Sequence, residues 1–102
     1  MIFTIINNYY PKMTNNLKQE LETYRMLETM SVFETMNLFE GGLSTAILDS
    51  SVSDDLKKDF EKSYRDLCDT DEWQEWDDDC AIEYQKIVTT FYLVIDKIIE
   101  VL

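Results

Sequence analysis

Residues 80–102 read CAIEYQKIVTTFYLVIDKIIEVL, and the spacing of their apolar side chains decides the fold. Cys80, Tyr84, Ile87, Phe91, Val94, Ile98 and Val101 alternate steps of four and three, while Val88, Ile95, Ile99 and Leu102 widen the same stripe. Such steps hold side chains on one face of an α-helix, because 3.6 residues complete a turn. The pattern predicts a long C-terminal helix over 70–102, with Thr70 as N-cap and Asp71 and Glu72 in its first turn. A strand over 87–95 competes with this reading, since IVTTFYLVI is rich in β-branched and aromatic residues and MIFTII at 1–6 could pair with it.

Upstream, Ser53 precedes Asp54 and Asp55, an N-cap followed by first-turn acids, and Leu56, Phe60, Tyr64 and Leu67 then fall on one helical face. A helix over 53–68 follows. Leu17, Leu21 and Tyr24 have the same spacing, Thr14 can cap them, and Gly41 and Gly42 end the run, so a first helix is expected over 14–40. Within it, LETYRM, LETMSV and FETMNL form successive six-residue blocks from Leu21, and FEGG begins a fourth. A step of six rotates the repeated apolar residue by about 120° on a straight helix, so the surface would wrap around the axis. Either the second half is buried on several sides, or the helix breaks near Ser31, where Ser31 and Glu34 have capping-box spacing. Between the glycines and Ser53, LSTAILDS reads as a short helix or turn. Pro11 sets residues 1–12 apart as an N-terminal arm or short strand.

The expected fold is therefore a single domain, mainly α, a bundle of three to four helices. The alternative is an α+β fold with 1–6 and 87–95 as strands. With 102 residues, 45% of them hydrophobic and 13% aromatic, the chain has material for one modest core.

Twenty-one acids against nine bases give a formal net charge of −12. Like charges repel, which opposes direct contact with nucleic acid or anionic lipid and favours a basic protein surface as partner. The acids concentrate at Asp66, Asp69, Asp71, Glu72, Glu75, Asp77, Asp78, Asp79 and Glu83, a stretch without Lys, Arg or His that also holds Trp73 and Trp76. On one continuous helix Glu72, Glu75 and Asp79 would form a row, extended by Asp71 and Asp78, with spacings of about 5–6 Å resembling successive phosphates. These eleven residues are the candidate partner-binding surface, suited to occupying a site that normally handles nucleic acid. The plain reading of the same residues is a solvated helix start whose charge serves solubility. Small, acidic, His-free, glycine-poor composition is shared by phage- and plasmid-encoded inhibitors of host nucleic-acid machinery, a compositional likeness without a shared motif.

Catalysis is not expected. The chain has no His, which removes Ser-His and Cys-His nucleophiles and imidazole metal ligands, and its two adjacent glycines cannot build a phosphate-cradling loop. Cys68 and Cys80 make a poor zinc pair and are expected as reduced thiols packed inward. DTDEWQEWDDDC fails the EF-hand pattern, with Trp73 at the fifth position, Gln74 at the glycine turn and Cys80 where a bidentate Glu belongs. No cofactor and no metal site are expected. The longest apolar stretch is too short to span a bilayer and MIFTIINN lacks the features of a secretory signal, so the cytoplasm is the expected location, a host's cytoplasm if the chain is viral. A rival to partner binding is self-association, as a homodimer, through the C-terminal stripe of Tyr84, Ile87, Phe91, Val94, Ile98 and Val101.

Overall fold

The computed structural model describes residues 13–27, 31–73 and 77–102, with side chains from Leu17 onward. The arm over 1–12 and the capping role of Thr14 lie outside the described residues. Those described form an all-helical unit without strands: α1 (Met13–Leu27), α2 (Val32–Leu38), a π-helical turn (Phe39–Leu43), α3 (Ser44–Leu48), α4 (Asp54–Asp69), a 3-10 turn (Thr70–Glu72) and α5 (Asp78–Val101). Ile87–Ile95, the strand of the alternative reading, is helical throughout. Its β-branched residues are there because Val94 and Ile95 fill the core and Ile87 and Val88 pack against it, and burial of that stripe outweighs a weak local preference.

Two of the starts have a side-chain cap as their local cause. Ser31 Oγ accepts from the Glu34 N–H at 3.1 Å while Ser31 N–H donates to Glu34 Oε1 at 3.0 Å, a complete capping box that opens α2. Ser53 Oγ accepts from Leu56 N–H at 3.2 Å and opens α4. Between α2 and α3 the chain bends through its glycine pair, where Gly42 takes φ 144°, a region that side chains with a Cβ rarely enter. The hexad repeat is thereby split: Leu21 and Phe39 are fully buried, whereas Leu27 is 49% and Phe33 62% exposed. Similar hexads occupy different environments because breaks in the helix, not a continuous 120° rotation, set their directions.

The core joins Leu17, Leu21 and Tyr24 of α1, Phe39 and Leu43 of the bend, Ile47 of α3, Phe60 and Leu67 of α4, and Phe91, Val94, Ile95 and Ile98 of α5. Helices α4 and α5 run antiparallel. Phe60 and Tyr64 lie 6.2 and 6.1 Å from Phe91, while Leu67, farther along α4, meets Tyr84 and Val88, earlier on α5, around one small cavity. Phe39 sits at the centre, its ring 5.2 Å from Tyr24 and 5.4 Å from Phe91 in edge-to-face geometry, and 6.0 Å from Phe60. Edge-to-face pairs add about 0.5–1.5 kcal/mol each beyond the area they bury.

Helix α1 is tied to α5 by a polar clamp as well. Arg25 donates to both Asp96 carboxylate oxygens, at 2.7 and 3.3 Å, and its guanidinium lies 4.3 Å from the Tyr92 ring centroid. Because Asp96 remains half-exposed, the pair contributes on the order of 1 kcal/mol.

Phe39→Ala removes the ring shared by three helices and is expected to lower unfolding free energy by about 3–5 kcal/mol, a large share of the roughly 5–15 kcal/mol of a domain this size. Urea denaturation followed by circular dichroism checks this, and a loss below about 1 kcal/mol would remove Phe39 from its central place. Burial pushes the Tyr24 hydroxyl up to about 12. A raised folded-state value stabilises fully below the ordinary tyrosine range and loses that contribution as pH climbs from about 10 towards 12. The urea midpoint should fall across that window, and less steeply in Tyr24→Phe; identical slopes in the two proteins would contradict the assignment.

Candidate acidic surface

The acidic stretch divides between two helix ends instead of lying on one helix. Thr70, expected as the cap of the long helix, belongs to the end of α4: it is buried, and its hydroxyl donates to the Leu67 carbonyl at 2.7 Å. The 3-10 turn Thr70–Glu72 follows, and Trp73 is extended at φ −66°, ψ 132°, which halts helical propagation. Helix α5 starts seven residues later than the sequence pattern predicts, at Asp78, with Asp77 instead of Thr70 as its N-cap. The Asp77 carboxylate accepts from Cys80 N–H at 2.9 Å.

This corrects the phosphate-like row. Glu72 and Asp79 stand on separate elements, as do Asp71 and Asp78, so their spacing is not the helical 5–6 Å. Glu75 and Trp76 lie outside the described residues. A continuous helix would set like charges three and four apart along its length, which is destabilising; ending α4 and restarting α5 spares the chain part of that repulsion. The restart also explains Asp77, Asp78 and Asp79. One caps α5 and the other two occupy its first turn, where the positive end of the helix dipole favours carboxylates.

The elements nevertheless bring the acids to one end of the α4–α5 hairpin. Asp69, Asp71 and Glu72 at the end of α4 and in the 3-10 turn, and Asp77, Asp78, Asp79 and Glu83 on the first turns of α5, are all exposed. Asp66 is half-buried and accepts from Lys62 Nζ at 2.9 Å, one helical turn away. Among the described residues that is the one ion pair engaging any member of the stretch, and Trp73 is partly buried. The Cys80 backbone N–H holds the Asp77 carboxyl below its usual range. Cys68 and Cys80 are both half-buried free thiols, and burial pushes the Cys68 thiol up from its ordinary value, away from the reactive thiolate. Among the described residues no three Cys, Asp or Glu side chains are placed to hold a metal ion, and no helix is long and apolar enough to cross a membrane.

The C-terminal stripe has a different fate from the one read as a self-association seam. Phe91, Val94 and Ile98 are buried within the chain's own core, and Tyr84 and Ile87 pack against that core. Of the six, only Val101, 60% exposed, lies open. A seam through Phe91 and Ile98 would require the monomer to give up its core. Two features had no legible sequence signal: the Arg25–Asp96 clamp joins residues 71 apart, and a groove beside Gly41 and Gly42 depends on the α2–α3 bend.

No protein family, no curated protein and no solved structure matches this chain.

Asp77→Ala is expected to fray the first turn of α5 and lower the melting temperature, while Asp77→Asn, which retains a capping oxygen, leaves it nearly unchanged. The lowered Asp77 value has a pH counterpart: the carboxylate's capping contribution is present above the ordinary aspartate range and is lost as pH falls through its depressed folded value. Amide exchange at Asp79–Ala81 checks both, and equal protection in wild type and Asp77→Ala would contradict the capping role.

Proposed function

We propose that this chain is a small helical protein-binding module, without enzymatic activity, whose α4–α5 end occupies a basic site on a partner that handles nucleic acid. The observation that supports it is the concentration of eight described carboxylates at one end of a hairpin, with Lys62 as the single cation paired to them. Exposed acids on a rigid scaffold steer a basic partner from a distance and release its counterions on contact, as a nucleic acid does. The partly buried Trp73 adds an aromatic body at the base of the patch, the residue type that anchors protein interfaces. Mimicry here rests on charge density at a helix junction and not on a regular phosphate-like spacing. The absence of histidine, together with carboxylates that lie in solvent instead of a cleft, supports binding over catalysis.

The triple substitution Asp77→Asn, Asp78→Asn, Asp79→Asn keeps the cap of α5 and removes three charges. With wild type and this variant as bait in nuclease-treated lysate at low and high salt, wild type should recover a nucleic-acid-handling protein at low salt only. The variant should bind that protein at least about tenfold more weakly, with a shallower salt dependence, for the loss of about 1.4 kcal/mol or more. Unchanged affinity of the folded variant, or recovery of nothing but the bait itself, would overturn the reading.

A further inference from the structure

An open groove of about 750 Å³ lies between α1 and the α2–α3 bend, with Leu17 on one wall and Leu38, Leu43 and Ala46 on the other. A second hollow of about 500 Å³ shares Glu20, Leu38 and Leu43 with it and extends the groove along α1 to Leu27, which is 49% exposed. From Leu17 to Leu27 the axis of α1 advances about 15 Å, close to three helical turns. Hollows of this size accommodate a short peptide. Two carboxylates stand in the lining, Glu20 on α1 and Asp49 where α3 ends; both are exposed, and no Lys or Arg lines either hollow. Among the described residues neither carboxylate is held in an ion pair.

We propose that this groove docks a basic amphipathic helix of a partner protein, its apolar stripe on the leucine walls and its Lys or Arg side chains against Glu20 and Asp49. Charge selects the sign of the occupant. Apolar walls flanked by two acids and no base complement a segment that sets positive charge beside an apolar stripe, and the net charge of −12 draws such a segment in while repelling an acidic one. The walls select its form. A helix satisfies its own backbone hydrogen bonds before it meets leucines, and nearly three turns of groove match anchors at i, i+3 or i+4, and i+7. An extended peptide would need a sheet edge to join, and the described residues contain no strand. At the bend, Gly41 and Gly42 leave the floor open, since a Cβ built on either would meet nothing within 4 Å. A second copy of this chain is a poor occupant. Its helix with most Lys and Arg, α4, turns Phe60 and Leu67 into the core, and the copy as a whole repeats the charge of −12. No lining residue belongs to α4 or α5, so this site stands independently of the acidic α4–α5 end.

The test uses the full-length protein and a labelled model helix of about 14 residues, with leucines at helical spacing and lysines elsewhere, beside a counterpart with glutamate for every lysine. Binding is read by fluorescence anisotropy at physiological salt and located by amide chemical shifts. The lysine peptide should bind at least about tenfold more tightly than the glutamate one and shift amides of residues 17–27 and 41–49. Thr23→Arg and Thr45→Arg, each on an exposed groove wall, should weaken it at least about tenfold, and either one suffices if the other does not fold. Because a cationic peptide could also settle on the junction acids, the triple variant Asp77→Asn, Asp78→Asn, Asp79→Asn is the second arm: groove docking predicts an affinity within about threefold of wild type. Shifts confined to residues 77–83, loss of binding in the triple variant alone, or unchanged affinity in the folded arginine variants would overturn the assignment. So would a protein mass that doubles with concentration and reverts in an arginine variant, which would give the groove to a second copy.

Discussion

The edge-to-face contact between Phe39 and Phe91 is the constraint on which the other elements depend. Phe39 belongs to a short bend, yet its ring reaches Tyr24 on α1, Phe60 and Tyr64 on α4 and Phe91 on α5. To deliver that ring inward, the chain must leave the direction of α2 at Phe39 and resume as α3. The π-helical turn and the positive φ of Gly42 accomplish this. Edge-to-face rings have narrow angular tolerance compared with aliphatic packing, so the bend angle is fixed from inside the core. The groove between α1 and α2–α3 is a consequence of the same bend.

Charge is mixed along α4 but of one sign at its junction with α5. Lys57, Lys58, Lys62 and Arg65 lie along α4 among Asp54, Asp55, Asp59 and Glu61, while the stretch where α4 ends and α5 begins carries acids without any base. A net charge of −12 opposes compaction, but exposed carboxylates are screened by salt over about 10 Å and cost little individually. Helix ends reduce the cost further. Asp77 meets an otherwise unpaired backbone N–H, and Asp78 and Asp79 face the positive end of α5. Three acids that look excessive in a linear run thus have structural reasons where they stand. Asp69, Asp71 and Glu72 have no comparable reason, since the end of α4 presents carbonyl groups and a partial negative charge. They are the members of the patch that local stability does not explain.

Much of the fold was legible because its strongest signal is periodic. The α5 stripe and the α4 face each repeat over about three turns or more and the Leu17–Leu21–Tyr24 spacing over about two, and repetition is what distinguishes a buried face from coincidence. The start of α5 was not legible, for a definable reason: Thr70, Ser31 and Ser53 all have cap-forming side chains, and sequence does not say which hydroxyl is already engaged. Thr70 donates backwards to Leu67 and is buried, whereas Ser53 accepts forwards from Leu56. The same ambiguity led from acids in sequence to acids in a row. The C-terminal stripe was ambiguous for another reason. A heptad-like stripe identifies an apolar face but not its partner, and here α1, α4 and the bend cover it.

Core and acidic end are separable in this architecture. Within the stretch from Asp66 to Glu83, only Leu67 and Thr70 among the described residues are buried, and both belong to the end of α4. The aromatic cluster is assembled from residues 24, 39, 60, 64 and 91, each at least one full turn of helix from the nearest exposed acid of the junction. Charge at the junction can then be altered while the capping oxygen at position 77 and the hydroxyl at position 70 are retained, and the core has no cause to respond. A scaffold built this way leaves its surface chemistry free to follow a partner's surface, because folding places few demands on it. That independence, more than the number of carboxylates, is what suits the α4–α5 end to recognition.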